Sequence, residues 1–195
     1  MQVPEIQTPA ENNTFYAVAD ITSISSPYYL WCQSEGYEPE DLDISEIWVD
    51  GEKQSGIPTT YTFSSTGKHI IKYVPTDGKY IKYNLLDFSD SDYNYLPINT
   101  IVIGEGIEYI DDYAFSTSKL TTVVCPSSLT TLQGFTFGNC SSLTSITFNG
   151  TKEQWNSISF FNGPNNPLIP ISATSAWYNE SPVTVIHCSD GDIFL

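Results

Sequence analysis

The sequence predicts a mainly β protein in which an N-terminal antiparallel β-sandwich leads into a short solenoid with a parallel sheet. Short β-branched and aromatic runs separated by turn residues fill the first half, and no long helical period occurs. The second half repeats itself at a spacing of 22 to 23 residues. The 195 residues, 40% of them hydrophobic, are enough to build a core. We place the sandwich and a linker in residues 1–95, and the solenoid with its C-terminal cap in residues 96–195.

The first half predicts an immunoglobulin-like sandwich over roughly residues 10–85. Its strands are predicted by the runs FYAVADI, YYLWC, SEIWVD, TTYTFSS and KHIIKYVP. Asp50-Gly51 predicts a two-residue type I′ hairpin, because glycine accepts the positive φ of that turn. Thr66-Gly67 predicts a similar turn between YTF and KHIIKYV. The segment LLDFSDSDYNYLP is interpreted as a linker or as an entry into the next module.

The second half carries an internal repeat. IEYIDDYAF from Ile107 aligns with LTTLQGFTF from Leu129, and LTTVVC from Leu120 aligns with LTSITF from Leu143. INTIVI from Ile98 supplies an earlier copy of the strand. The pattern apolar-x-x-apolar-x-apolar at a period of 20 to 29 residues predicts leucine-rich repeats, each of which adds one strand to a parallel sheet.

The segment AFSTSKLTTVVCPSSLTTLQGFTFGNCSSLTSITF resembles the BspA-like leucine-rich repeats found in surface proteins of gut and oral bacteria and of some protozoa. The resemblance covers about residues 98–155. It implies a non-enzymatic protein-interaction or adhesion module of a bacterial surface or secreted protein. It also implies that Cys140 lies inward at the turn before a strand. The first repeat departs from the pattern, because AFSTSKL is one residue shorter than TFGNCSSL and has no cysteine.

Charge narrows the classes of partner. The chain has 23 acidic residues against seven basic ones, all of them lysines, and a formal net charge of −16. A nucleic-acid binder needs a basic stripe that displaces counterions from phosphates, so we expect no nucleic-acid partner. The start, MQVPEIQTPAENNTFY, shows no signal-peptide pattern, and no apolar run of about 18 residues predicts direct membrane insertion. The surface or secreted location therefore rests on the family resemblance.

The cysteines predict packing rather than chemistry. Cys32, Cys125, Cys140 and Cys188 include no C-x-x-C pair and no zinc spacing. We interpret them as free, mostly buried thiols, with a disulfide in an oxidising compartment as the alternative. His187 precedes Cys188, but neighbours on a strand point to opposite faces, which argues against a catalytic dyad.

The acidic segments raise the question of calcium. EGYEPEDLDISEIWVDGE holds eight acids, and DFSDSDYN holds three more. Read as an EF-hand loop from Asp90, the second segment has Tyr95 where glycine is required and Ile101 where glutamate is required. We interpret the acids as solvated loops, with an irregular calcium site as the open alternative. No catalytic, cofactor or metal residue is predicted, and the chain is expected not to be an enzyme.

Two surfaces are candidates for binding. In each repeat strand the first, fourth and sixth residues point inward, which leaves the third and fifth on the exposed face of the sheet. These positions predict an uncharged ribbon for a protein partner, formed by Thr100, Val102, Thr122, Val124, Ser145 and Thr147. The alternative function is a carbohydrate-binding accessory module, in which the aromatic patch Tyr28, Tyr29 and Trp31 stacks on a glycan.

Overall fold

A computed structural model describes residues 10–33, 38–88, 92–117, 119–133, 135–161 and 183–195. The described first half contains a 3-10 helix (Pro39–Leu42) and seven strands: β1 (Phe15–Ile21), β2 (Tyr28–Tyr29), β3 (Ile44–Val49), β4 (Glu52–Lys53), β5 (Thr60–Tyr61), β6 (Gly67–Pro75) and β7 (Tyr80–Ile81). The described second half contains the helix α1 (Lys152–Ser157) and eight strands: β8 (Ile98–Ile103), β9 (Tyr109–Ile110), β10 (Thr122–Cys125), β11 (Thr131–Gln133), β12 (Ser145–Phe148), β13 (Ser159–Phe161), β14 (Val185–Cys188) and β15 (Gly191–Phe194). The predicted mainly β class is confirmed.

Most of the strands belong to one large sheet. This nine-stranded sheet has the order β15-β14-β12-β10-β8-β1-β6-β3-β4. A second sheet of four strands has the order β13-β11-β9-β7, and β2 pairs with β5 in a third, two-stranded sheet. The chain therefore alternates between the large sheet and the four-stranded sheet as it winds through the solenoid, which is the path expected of stacked repeats.

The repeat strands of the solenoid pair in parallel. Strand β10 lies between β8 and β12, and β14 follows β12 in the same direction. The inward positions predicted from the repeat are all buried, at 1% exposure or less: Ile98, Ile101, Ile103, Leu120, Val123, Cys125, Leu143, Ile146 and Phe148. Aromatic rings also stack from one turn to the next inside the solenoid, with the centroids of Phe115 and Phe137 6.0 Å apart.

The N-terminal strands continue the solenoid sheet. Strand β1 pairs antiparallel with β6 on one side and with β8 on the other. The arrangement of a separate sandwich followed by a solenoid is not confirmed, because β1, β3, β4 and β6 lie in the same sheet as the repeat strands. The physical reason is that β8 would otherwise expose an unpaired edge, which β1 covers. The division into residues 1–95 and 96–195 stays a prediction, although β7 from the first segment pairs with β9 from the second.

Of the two interpretations of LLDFSDSDYNYLP, the entry into the next module is confirmed for its first residues, and the linker is not. Leu85 and Leu86 are buried, at 1% and 0% exposure. The Leu86 amide donates to the Ala114 carbonyl oxygen at 2.9 Å, and the Phe88 amide donates to the Ser116 carbonyl oxygen at 2.8 Å. These residues form a turn of the solenoid. The sequence signal was hidden because YIKYNLL matches YIDDYAF at a spacing of 29 residues rather than 22 or 23.

One of the two predicted turns is confirmed. Asp50 and Gly51 have φ angles of 51° and 85°, and Val49 pairs with Glu52 across the two-residue connection of β3 and β4. The turn at Thr66-Gly67 does not join two paired strands, because β5 pairs with β2 and β6 pairs with β1 and β3. Gly67 does adopt a positive φ of 113°, as glycine allows. The glycine therefore predicted the local backbone conformation correctly, but it did not predict which strands pair.

The helix α1 begins at a capping box formed by Thr151 and Gln154. Thr151 accepts a hydrogen bond from the Gln154 amide at 3.2 Å, and the Gln154 side chain accepts one from the Thr151 amide at 2.9 Å. This capping box orients Trp155, which is 1% exposed and packs edge-to-face on Phe148 with ring centroids 5.2 Å apart. Trp155 therefore belongs to the hydrophobic core, where it packs beside β12.

We predict that the N-terminal strands and the solenoid unfold in a single transition. The β1 and β8 pairing and one shared hydrophobic core connect them, so neither part retains its core without the other. Thermal unfolding followed by circular dichroism and by calorimetry should give one transition with equal calorimetric and van't Hoff enthalpies. Two well-separated transitions would contradict this prediction.

Candidate functional site

One row of side chains crosses the outward surface of the large sheet. The row takes one residue from each of seven neighbouring strands, from β3 to β14, and consecutive members are cross-strand partners: Trp48, Lys72, Tyr16, Val102, Val124, Thr147 and His187. A second row lies beside it and contains Ile70, Val18, Thr100, Thr122, Ser145 and Val185. We call these two rows the outer face. Six strand spacings make it about 29 Å long.

The six residues predicted from the repeat all lie on this outer face, but they differ in exposure. Thr122 and Thr147 are exposed, while Thr100, Val124 and Ser145 are half-buried. Val102 is 3% exposed, so its prediction as an exposed residue is wrong. The reason is that Tyr16 of β1 lies directly across from Val102, in a pairing that the repeat pattern does not contain. The role of these six residues in binding stays a prediction.

The N-terminal part of the outer face is held by ionic and aromatic contacts. The Lys72 ammonium lies 4.2 Å from the centroid of the Trp48 ring and 3.1 Å from Glu11 Oε2. The Trp48 indole donates to Glu46 Oε2 at 2.8 Å, and Lys53 bonds the other oxygen of Glu46. These contacts fix the ring of Trp48 while leaving it half-exposed. The lysines here already have acidic partners within the chain.

The sequence reasoning missed this N-terminal part of the face. The alternation of residues in SEIWVD and KHIIKYV indicates which side chains share a side of their own strand. It does not indicate that β1 pairs with β8, and only that pairing joins Tyr16, Lys72 and Trp48 to the solenoid. The sequence therefore indicated which side chains share a face of one strand, but not which strands lie next to each other.

The predicted aromatic patch is not a patch. Tyr28 and Trp31 are 5% and 2% exposed, and the Trp31 indole donates to the Pro58 carbonyl oxygen at 3.2 Å. Both side chains belong to the hydrophobic core. Tyr29 is half-buried and contacts two other tyrosines, with ring centroids 5.3 Å from Tyr93 and 5.9 Å from Tyr95.

All four cysteines are free thiols. Cys125 lies beside Phe148 in the parallel pair of β10 and β12, and the Cys140 thiol donates to the Phe115 carbonyl oxygen at 3.2 Å. Burial raises the pKa of both thiols to about 12. Cys188 is half-buried, on the opposite side of β14 from the exposed His187. The packing interpretation of Cys140 is confirmed.

A serine, a histidine and an aspartate meet at the other end of the large sheet. His69 Nδ1 lies 2.6 Å from Asp50 Oδ2, and its Nε2 lies 3.0 Å from the Ser65 carbonyl oxygen but 3.5 Å from Ser65 Oγ. The imidazole is buried against the Phe63 ring, 4.5 Å between centroids. Nε2 lies closer to the Ser65 carbonyl oxygen than to Ser65 Oγ, so the serine hydroxyl is not held by the imidazole as it is in a catalytic triad. The contacts tie the loop before β6 to the turn between β3 and β4.

The acidic loops are only partly within the described residues, since residues 34–37 and 89–91 lie outside them. Among the residues that are described, no three histidine, cysteine or acidic side chains are arranged to hold a metal ion. The same residues include no helix that is both long and apolar enough to cross a membrane. Glu105 shows the structural use of one carboxylate: it accepts bonds from the amides of Ser127 and Ser128 and closes a turn of the solenoid.

The comparison with protein families agrees with this geometry. The chain matches the BspA type leucine-rich repeat region in six copies over residues 60–177, which is more than half of its length. The chain belongs to this family of repeat modules. The match begins well before residue 98, in agreement with the solenoid turn that contains Leu85 and Leu86. No curated protein and no solved structure matches the chain. Repeat families of this kind are generally non-enzymatic protein-interaction modules.

We predict that Cys140→Ala lowers the free energy of unfolding by about 1 kcal/mol or more, through the cavity it leaves and the lost bond to Phe115. The matched control is Cys188→Ala, which removes a half-buried thiol and should cost less. Chemical denaturation of the two variants measures the difference. An equal or larger loss for Cys188→Ala would contradict the packing role of Cys140.

Thiol reactivity gives a second prediction. At pH 8, Cys188 should react first with an aromatic disulfide reagent, because Cys32, Cys125 and Cys140 are all buried. The high thiol pKa values of Cys125 and Cys140 further suppress their thiolate forms. All four should react after denaturation. If fewer than four thiols react after denaturation, a disulfide is present.

Proposed function

We propose that this chain is a protein-interaction or adhesion module of a bacterial surface or secreted protein, and that the outer face is its docking surface. The observation that supports this proposal is that the outer face presents an exposed or half-buried side chain on each of seven neighbouring strands, although Val102, Val18 and Ile70 within it are buried. It reaches beyond the repeat ribbon to Tyr16 and Trp48, which are side-chain types enriched at protein interfaces.

The charge distribution favours this surface over the rest of the chain. Within the two rows the fixed charge is that of Lys72, which pairs with Glu11, and charged partners stand at the two ends of the first row, Lys53 beside Trp48 and Asp192 beside His187. The rest of the chain carries nearly all of the net charge of −16. A partner that binds the outer face displaces water from hydroxyl, valine and aromatic groups, whereas a partner on most other surfaces must desolvate carboxylates. Docking on the outer face therefore has the smaller desolvation cost.

The test is the double variant Thr122→Arg with Thr147→Arg. Both side chains are exposed, so the fold should be retained, and two arginines should lower the affinity for a captured partner by about tenfold or more. The control variant Thr130→Arg with Ser141→Arg adds the same charge at exposed positions on other sides of the solenoid.

Partners would be captured from host extracellular matrix or from bacterial surface extracts, and affinities measured by biolayer interferometry. Because both variants change the net charge equally, a loss confined to the first variant identifies the outer face as the site. If both variants bind as tightly as the wild-type chain, or if both lose the same affinity, the outer face is not the docking surface.

The surface or secreted location is proposed from the family, whose repeats are typical of proteins on bacterial surfaces or outside the cell. Antibody labelling of intact cells, with and without protease treatment, tests this location. Labelling only after lysis would contradict it.

Carbohydrate binding is the second candidate, and it now requires a different set of rings. Tyr29, Tyr93 and Tyr95 form a cluster, and Tyr93 is 37% exposed. An exposed tyrosine held by its neighbours can stack on a sugar ring. A glycan array should lose its signal with Tyr93→Ala and keep it with Tyr83→Ala, since Tyr83 is similarly exposed, at 40%, and lies outside the cluster. An array without binding would exclude the glycans tested.

A further inference from the structure

Strand β15 is one of the two edge strands of the large sheet, and β4 is the other. Strand β15 pairs with β14, and no strand in the described part of the chain lies on its other side. Gly191, Asp192 and Phe194 are exposed, and Phe194, at 77%, is the most exposed large hydrophobic side chain among the described residues. Natural sheets protect such an edge with proline, a bulge, charged side chains or a very short strand. Strand β15 has no lysine, proline or bulge, but it is 4 residues long and carries Asp192.

The hydrogen bonds show which backbone groups are unpaired. The Leu195 amide donates to the Thr184 carbonyl oxygen at 3.0 Å, one step beyond the pair of Val185 and Phe194. In an antiparallel ladder, directly bonded pairs alternate with pairs that do not exchange bonds. Ile193 is therefore bonded to β14, while the N–H and C=O groups of Asp192 and Phe194 point away from β14 toward the free edge.

We propose that this edge pairs antiparallel with β15 of a second copy of the chain, about a two-fold axis at Ile193. In that register Asp192 of each copy lies opposite Phe194 of the other, and the four outward groups of each strand form four hydrogen bonds in all. Registers centred on Asp192 or on Phe194 form two such bonds, and the first of them also places two aspartates opposite each other. The self-complementary register is the argument for a second copy rather than a different protein.

The side chains agree with this register. Ile193 packs against the hydrophobic core from its inner side, so a two-fold axis there brings two isoleucines together and extends the apolar layer. On the outward side, Asp192 is already within 2.9 Å of His187 Nδ1, which reduces its repulsion of the second copy. The contact is small, so the association is expected to be weak and reversible. It is independent of the proposed docking function, because it uses the sheet edge.

Charge predicts how the association responds to salt. Two chains of net charge −16 repel each other, and raising the ionic strength from about 0.01 M to about 0.1 M shortens the Debye length from about 30 Å to about 10 Å. The fraction of dimer, measured by sedimentation equilibrium, should therefore rise with salt. A fraction that falls with salt would indicate an attractive charged interface elsewhere and would overturn the proposal.

The decisive variant is Phe194→Pro. Proline removes the outward N–H of residue 194 but leaves the bonds of Ile193 and Leu195 to β14, so the fold is retained and self-association is lost. The control Phe194→Thr shortens the side chain and keeps the N–H, so its dimer should persist. A wild-type chain that is monomeric up to about 1 mM overturns the proposal. So does a proline variant that dimerises normally, or a threonine variant that loses the dimer as completely as the proline variant.

The register has its own test in Ile193→Cys, made in a Cys188→Ser background. The two residues at the axis form a pair that does not exchange hydrogen bonds, in which the side chains approach most closely and a disulfide can form. Mild oxidation should give a covalent dimer on a non-reducing gel. The matched variant Phe194→Cys in the same background places its thiol opposite Asp192 and should cross-link more slowly. Equal or reversed rates would show that the two-fold axis is not at Ile193.

Discussion

The pairing of β1 with β8 is the interaction on which the rest of the fold depends. A stack of repeats has an open strand at each end, and this chain closes the N-terminal end with β1, which comes first in sequence among the described strands. The same strand brings Phe15 into the core, where its ring stacks on Tyr73 at 4.8 Å and meets Phe115 edge-on at 5.6 Å. One side chain thus joins the antiparallel strands to the aromatic ladder of the solenoid.

The loop before β1 closely approaches the end of β8, and glycine makes that approach possible. The Gly104 amide donates to the Thr14 carbonyl oxygen at 2.8 Å. A Cβ atom at residue 104 would lie 2.0 Å from the Glu11 carbonyl oxygen, a separation that backbone atoms cannot tolerate. The junction is therefore specified by sterics as well as by hydrogen bonds.

Local features of the sequence predicted more than its long-range features. The repeat placed Ile101, Val123 and Ile146 in the core, and the turn at Asp50-Gly51 was predicted directly from its residue types. Each of these depends on neighbours along the chain or on a fixed period. The sandwich was expected because short antiparallel strands look the same whether they form a second layer or extend an existing sheet.

The binding residues show the same division. Alternation along β10 and β12 correctly placed Thr122 and Thr147 on the outward side, whereas the burial of Val102 depends on Tyr16, which is 86 positions earlier in the sequence. For Tyr28 and Trp31, the residue types alone were ambiguous, since aromatic side chains occur both in hydrophobic cores and on surfaces that stack on sugars. Their burial follows from the pairing of β2 with β5, which no local pattern specifies.

The capped junction also determines how a protein of this kind can vary in length. Because β1 runs antiparallel to β8, a new repeat cannot be added outside it without displacing it. The turns between β8 and β12, in contrast, repeat the same contacts at a spacing of 22 to 23 residues. Duplication or loss of one such unit would lengthen or shorten the outward surface by about 4.8 Å and leave the junction unchanged. The length of the outer face is thus a quantity that evolution or design can adjust in steps of one strand.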